Sequence, residues 1–164
     1  MCDPSPGVSL KSKSSNVKNN RSVSAAIGEH LVLGELLKRN VEAYLAHGAT
    51  QKSWDLAIFT GTSIKRVQVK TIDWPKQLAV NGNFSDFDYL VIVLLDRPNP
   101  RSRFFVFDQA ELDNMLSAPN EARGHARTLT MSQKALALRF AAHEDNWRIL
   151  VPPTRPGLDV LNPA

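Results

Sequence analysis

Trp54-Asp55-Leu56-Ala57-Ile58-Phe59, then Thr60-Gly61-Thr62-Ser63, then Arg66-Val67-Gln68-Val69-Lys70, is the stretch on which the fold turns. Asp55 opens an apolar run of strand composition, the Thr-Gly-Thr-Ser segment supplies turn residues, and the run that follows alternates polar with apolar positions. This predicts a hairpin. Side chains alternate faces along a strand, so Gln68 and Lys70 point one way while Val67 and Val69 point the other, into a core. An acid, an amide oxygen and an ammonium can therefore meet at one edge of a sheet.

Working outward, Ser22 and Ser24 are candidate N-caps for a helix from about Ala25 to Arg39, with Ile27, Leu31 and Leu37 marking its buried side. Glu29 falls in its first turns, where the helix dipole favours a carboxylate, and Asn40 suits its end. Val41 to His47 reads as a first strand, Trp54 to Thr60 as a second and Ile64 to Ile72 as a third, together a meander. Tyr89 to Leu95 is almost continuously apolar, as in a strand covered on both faces. After the Pro- and Arg-containing loop 96–103, Phe104 to Phe107 is a fifth strand, and Ala110 to Leu116 a short helix. Ser132 can cap a further helix from Gln133 to His143, with Ala135, Leu136, Leu138, Phe140 and Ala141 as its apolar surface and Trp147, Ile149 and Leu150 packed beneath. The fold class expected is α/β: a central mixed sheet of about five strands flanked by helices.

Composition sets outer bounds. The 164 residues, 43% hydrophobic and 22% charged, suit one globular domain with a substantial core. The expected organisation is a basic tail over 1–23, a domain over 24–151 and a Pro-rich tail over 152–164. The net charge of +4 is carried mainly by Lys11, Lys13, Lys18 and Arg21, which face Asp3 alone in the N-terminal segment, so the body is nearly balanced. That segment reads either as a solvated leader or as a basic arm steering the chain toward phosphates. The single cysteine, Cys2, has no disulfide partner in the chain, which fits a reducing compartment. No apolar run is long enough for a membrane span, and no secretory signal is visible. A cytoplasmic location is expected.

The order of elements over roughly Ser24 to Phe107 resembles the core of the PD-(D/E)XK nuclease superfamily, the fold of restriction endonucleases and archaeal Holliday-junction resolvases. The resemblance rests on Glu29 in the first helix, Asp55 at the start of the second strand, and Gln68-Val69-Lys70 in the third. Gln68 stands where the commonest form of the motif has Asp or Glu, a substitution similar to the QxK version of the Mrr-type restriction endonucleases. What the resemblance implies is a metal-dependent endonuclease acting on DNA in restriction, recombination or repair, with Glu29, Asp55, Gln68 and Lys70 as catalytic residues. Magnesium or manganese would be held by Asp55, the Gln68 side-chain oxygen, the Val69 carbonyl and Glu29, since such ions prefer oxygen ligands. Lys70 would orient the attacking water and offset phosphate charge. Replacing an acid by Gln68 removes one negative charge, so metal binding without DNA is expected to be weak. A homodimer is allowed by the resemblance. The alternative is a non-hydrolytic protein that keeps the fold to bind nucleic acid or a protein partner. Taken singly, each residue also has a plain role: a surface acid at a helix start, a strand-start hydrogen bond, a solvated sheet face. Asp73, Asp86, Asp88, His30 and His47 lack a spacing that recommends them as ligands, and Thr71 could reach a phosphate through its hydroxyl.

Overall fold

A computed structural model of the chain describes residues 21–46, 53–97, 99 and 101–151. Seven strands and three α-helices are present among them: α1 (Arg21–Lys38), β1 (Ala43–Leu45), β2 (Leu56–Phe59), β3 (Ile64–Asp73), β4 (Ala79–Gly82), β5 (Tyr89–Leu95), β6 (Arg103–Asp108), α2 (Gln109–Leu112), β7 (Arg127–Thr130) and α3 (Gln133–Leu138). Five strands form one sheet in the order β1-β2-β3-β5-β6, and β4 pairs with β7 in a separate ribbon. Only β3 and β5 run parallel; the other pairs are antiparallel. The sheet is therefore mixed, as expected for an α/β core of about five strands. Parallel neighbours cannot be joined by a tight turn, and the segment between them is where β4 is inserted.

The continuous apolar character of β5 follows from its two-sided burial. Leu90, Ile92 and Leu94 enter one core cluster, with Ile72, Phe105 and Phe107, while Val91 and Val93 enter the other, with Val67, Val69 and Val106. The first of these clusters is closed by Val80, Leu129, Leu112, Leu136 and Phe140, from the β4–β7 ribbon and the short C-terminal helices. The second is closed by Val32 and Leu36 of α1 and by Trp147 and Leu150. The molecule is thus layered as helix, five-stranded sheet, and a mixed layer of ribbon and short helices.

The helix differs from its sequence reading. Its described part already includes Arg21, so Ser22 and Ser24 lie inside it and do not cap it, and Ser24 is buried, accepting a hydrogen bond from Arg97 Nη2 at 2.6 Å. Its core-facing line is Ser24, Gly28, Val32 and Leu36, whereas Leu37 is 52% exposed and Ile27 and Leu31 are half-buried on one flank. The reason lies at Gly28, where a Cβ would sit 1.8 Å from Thr71 Oγ1. The helix backbone lies against the sheet there, so the smallest side chains face inward and the larger ones are turned aside. Asn40 does end the helix: it takes a left-handed φ of 56°, with Val41 N bonded to Leu36 O and Asn40 N to Leu37 O, the paired closure of a Schellman motif.

Strand edges also shift. The first three strands are Ala43–Leu45, Leu56–Phe59 and Ile64–Asp73, the fifth strand of the large sheet extends to Arg103 and Asp108, and the C-terminal helix stops at Leu138, followed by 3-10 turns at Ala141–His143 and Trp147–Ile149. Leu138, expected on the apolar surface, is 72% exposed. The helix expected over Ala110 to Leu116 is the single turn Gln109–Leu112, capped by Asp108. Of the tail expected over 1–23, residues 21–23 belong to α1 instead; residues 1–20, the tail expected over 152–164 and His47 lie outside the described residues.

Candidate functional site at the divergence of two strands

β2 and β3 pair from Phe59↔Ile64 to Leu56↔Val67 and then separate. Asp55 stands at the point of separation. Its backbone N–H still donates to Val67 O at 2.8 Å, but the next ladder donor, Val69 N–H, is taken by the Asp55 side chain, at 2.6 Å from Oδ2. A short carboxylate here substitutes for a backbone acceptor. The N–H and C=O of one strand residue face the same neighbour, so the Val69 carbonyl is directed to the same gap as Asp55.

Between Val67 and Val69, Gln68 is only 5% exposed. Its Nε2 donates to Ser53 O at 2.8 Å, while its Oε1 is buried without a hydrogen-bond partner. Leaving a buried acceptor unsatisfied costs about 1–3 kcal/mol, a cost that a ligand at Oε1 would relieve. Lys70, two residues on, shares the Gln68 face and is half-exposed. The structure therefore brings Asp55, Gln68, Val69 and Lys70 together.

The charge balance of the site is set by burial. Desolvation pushes the Asp55 carboxyl above the ordinary carboxylate range, and the Val69 N–H and the Lys70 charge offset that only in part. An acid in place of Gln68 would put a second buried carboxylate beside Asp55, with mutual repulsion added to desolvation. Among the described residues no three His, Cys, Asp or Glu side chains cluster as a ready cation cage. The donor set at the strand divergence is oxygen-rich and carries a low charge, which fits a hard divalent cation whose remaining ligands come from substrate and water.

Glu29 lies on α1, half-buried. One residue along a helix turns about 100° around its axis, so Ile27 and Glu29 occupy opposite flanks of the line through Gly28. Ile27 and Leu31 line a groove with Leu95, Asp96 and Arg97 at the end of β5. Glu29 is consequently on the other flank, away from the end of β5, on a helix that packs against the Val67 and Val69 face of β3, opposite the face of Gln68 and Lys70. The other acids raised by the sequence serve elsewhere. Asp88 accepts from Arg66 N at 2.7 Å and pairs with its guanidinium; burial raises that carboxyl, but the Arg66 contacts outweigh burial and hold it below the usual range. Asp73 pairs with Arg97 at 3.0 Å, Asp86 accepts from Ser85, and His30 Nδ1 lies 2.8 Å from Ala26 O in its own helix. The Thr71 hydroxyl, considered as a phosphate contact, is instead turned against Gly28, buried and without a partner. Sequence reasoning missed Gly28 as the seat of the helix and the Ser53 carbonyl as the anchor of Gln68. The first was legible as a glycine inside an apolar helix, which costs about 1 kcal/mol in propensity unless close packing requires it; the second had no signal.

The sequence matches no protein-family model and no curated protein. Among solved structures, the fold is similar to that of a bacterial homing endonuclease, I-Ssp6803I, with a TM-score of 0.58 over 80% of this chain and 92% of that one, at 16% sequence identity. At that identity the likeness is one of fold. No described helix is long and apolar enough to cross a membrane.

Proposed function

We propose that the chain is a magnesium- or manganese-dependent endonuclease of the PD-(D/E)XK type, hydrolysing phosphodiester bonds in DNA at the divergence of β2 and β3. The observation that carries this reading is the buried, unpartnered Gln68 Oε1 beside an Asp55 carboxylate anchored by Val69 N–H, with Lys70 on the same face. The similarity of the fold to that of a homing endonuclease supports the same class of reaction. Asp55, Gln68 Oε1 and the Val69 carbonyl would hold the cation, and Glu29 would complete the site from α1. A divalent ion there would supply positive charge to the phosphate oxygens and would acidify a water beside them. Asp55 is held in one orientation by Val69 N–H, so little reorganisation accompanies loading. Gln68 would ligate without adding charge, which would keep affinity in the absence of DNA low and leave substrate phosphate to complete the binding. Lys70 directs its ammonium to the attacking water and to the charge that develops on the phosphate.

Nicking of supercoiled plasmid by the wild-type protein and by Asp55→Ala, in magnesium, manganese and EDTA, tests this reading. Metal-dependent nicking that disappears in the variant supports it. Cleavage in EDTA, or undiminished cleavage by Asp55→Ala, would refute it, and DNA binding without cleavage in either metal would favour a non-hydrolytic binding protein.

A further inference from the structure

Beyond Asp55, the edge of β3 opens into a second polar feature. β2 covers β3 only as far as Val67, so among the described residues the rest of β3, through Asp73, is strand-paired on the β5 side alone. Next to this edge lies a cleft of about 250 Å3 lined by Arg21, Ser24, Thr71, Asp73, Gln77, Val80 and Asn81. A water occupies about 30 Å3 in the liquid, so the cleft has room for a phosphodiester with part of a sugar and not merely a lone ion.

Its chemistry favours an anion. Asp73 is offset by Arg97, which also bonds Ser24 Oγ, and Arg21 adds a further guanidinium. Asn81 uses Oδ1 to accept from Thr128 Oγ1, which leaves its Nδ2 as a donor. The first described turn of α1 contains no acid, so no carboxylate of that turn opposes an anion in the cleft. Position ties the cleft to the site through the strand edge: β3 runs on from the Val69 carbonyl to Thr71 and Asp73 along the same uncovered edge, about 3–10 Å beyond Lys70 at about 3.3 Å per residue, with the Thr71 and Asp73 side chains on the α1 face and Lys70 on the other.

We propose that this cleft binds a backbone phosphate of the DNA strand, next to or one beyond the phosphodiester held at Asp55 and Lys70, through Arg21 and Asn81 Nδ2. The placement of that second phosphate rests on the nuclease reading, but phosphate binding in the cleft can be measured without catalysis. Fluorescence anisotropy of a short labelled DNA duplex, in EDTA and between about 50 and 200 mM salt, would be compared for wild type, Arg21→Ala, Asn81→Asp and Arg148→Ala. Arg148 lies in the turn of Trp147, whose ring is under Arg39 beyond the opposite end of α1, and serves as the control. Each phosphate contact contributes about 0.9 to the slope of log affinity against log salt. Arg21→Ala should therefore flatten the slope by about one and weaken binding severalfold at the lower salt, Asn81→Asp should weaken binding while keeping the bond from Thr128, and Arg148→Ala should match wild type. Unchanged slope and affinity in both cleft variants, equal losses in the control, or no DNA binding by the wild type would overturn the proposal. Plasmid nicking by wild type separates the two readings: cleavage with unaffected cleft variants leaves the nuclease and removes the cleft, whereas cleft-dependent binding without cleavage does the reverse.

Discussion

Gly28→Ala probes the contact that seats α1, and with it Glu29, on the sheet. The added Cβ would lie 1.8 Å from Thr71 Oγ1, 3.0 Å from Thr71 Cβ and 3.3 Å from Thr71 Cγ2. The Oγ1 contact is the severe one and forces Thr71, α1 or β3 to shift, whereas the Cβ contact asks for only a few tenths of an ångström. Overpacking of this kind costs about 1–3 kcal/mol, and Gly→Ala in a helix returns about 1 kcal/mol. The net loss should be up to about 2 kcal/mol, and at about 2–4 °C per kcal/mol for a domain of this size Tm should fall by up to roughly 8 °C. Thr71→Ala alone removes a buried hydroxyl that has no partner, so it should be neutral or slightly stabilising. The double variant should recover most of the loss, because the severe Oγ1 contact is gone and only the mild Cβ contact remains. Thermal and urea unfolding of the four proteins give the coupling energy, expected to be at least about 1 kcal/mol. Two strictly additive substitutions would refute the close approach of helix and sheet.

Asp55→Asn keeps an acceptor for Val69 N–H and removes a carboxyl that burial has raised above its ordinary value. The folded wild type binds this proton more tightly than the unfolded chain, so its stability should fall as pH rises from the ordinary carboxylate range through the raised value and then level off. The Asn variant should lack that dependence and melt higher at neutral pH, seen by calorimetry across pH, while losing cleavage; an unaltered pH profile would count against a buried Asp55. Wild-type cleavage should likewise fail on acidification at a higher pH than an ordinary aspartate would give, which a single-turnover pH series would show. Lys70→Ala should lower the cleavage rate by about 10²–10³, the usual cost of one charge-stabilising donor, with DNA affinity nearly preserved in an anisotropy assay. Gln68→Glu should tighten magnesium binding to the DNA-free protein in calorimetric titration and destabilise the metal-free form, since it adds a buried charge beside Asp55; tight magnesium binding by the wild type itself would contradict the low-charge site.

The parts of this fold that were legible in sequence are those with strong local patterns. The Leu56–Phe59 and Ile64–Asp73 hairpin has alternation and a turn containing Gly61, at φ 83°, and the Tyr89–Leu95 strand has an apolar run that only two-sided burial explains. That Gln68 and Lys70 share a face was legible because a strand period dictates it. The inward line of α1 was not, since Ser24 and Gly28 face the sheet for reasons of close approach and not hydrophobicity, while the apolar Ile27 and Leu37 mislead a count of periodic residues. The β4–β7 ribbon was also invisible: Ala79–Gly82 and Arg127–Thr130 are four-residue strands far apart in sequence, each with one buried apolar residue, Val80 and Leu129. Their pairing is a tertiary fact with little local signature. The cleft beside Asp73 has the same origin, because Arg21, Asp73 and Asn81 come from separate elements.

The most direct measurement is paramagnetic broadening of the protein's amide NMR signals by substoichiometric Mn2+ in the presence of a duplex DNA. Selective loss of the Asp55, Gln68, Val69 and Lys70 backbone signals and of the Gln68 side-chain amide, abolished in Asp55→Asn, is the result expected of a divalent ion held at the divergence of β2 and β3. Broadening centred on other residues, or persisting unchanged in Asp55→Asn, would contradict it.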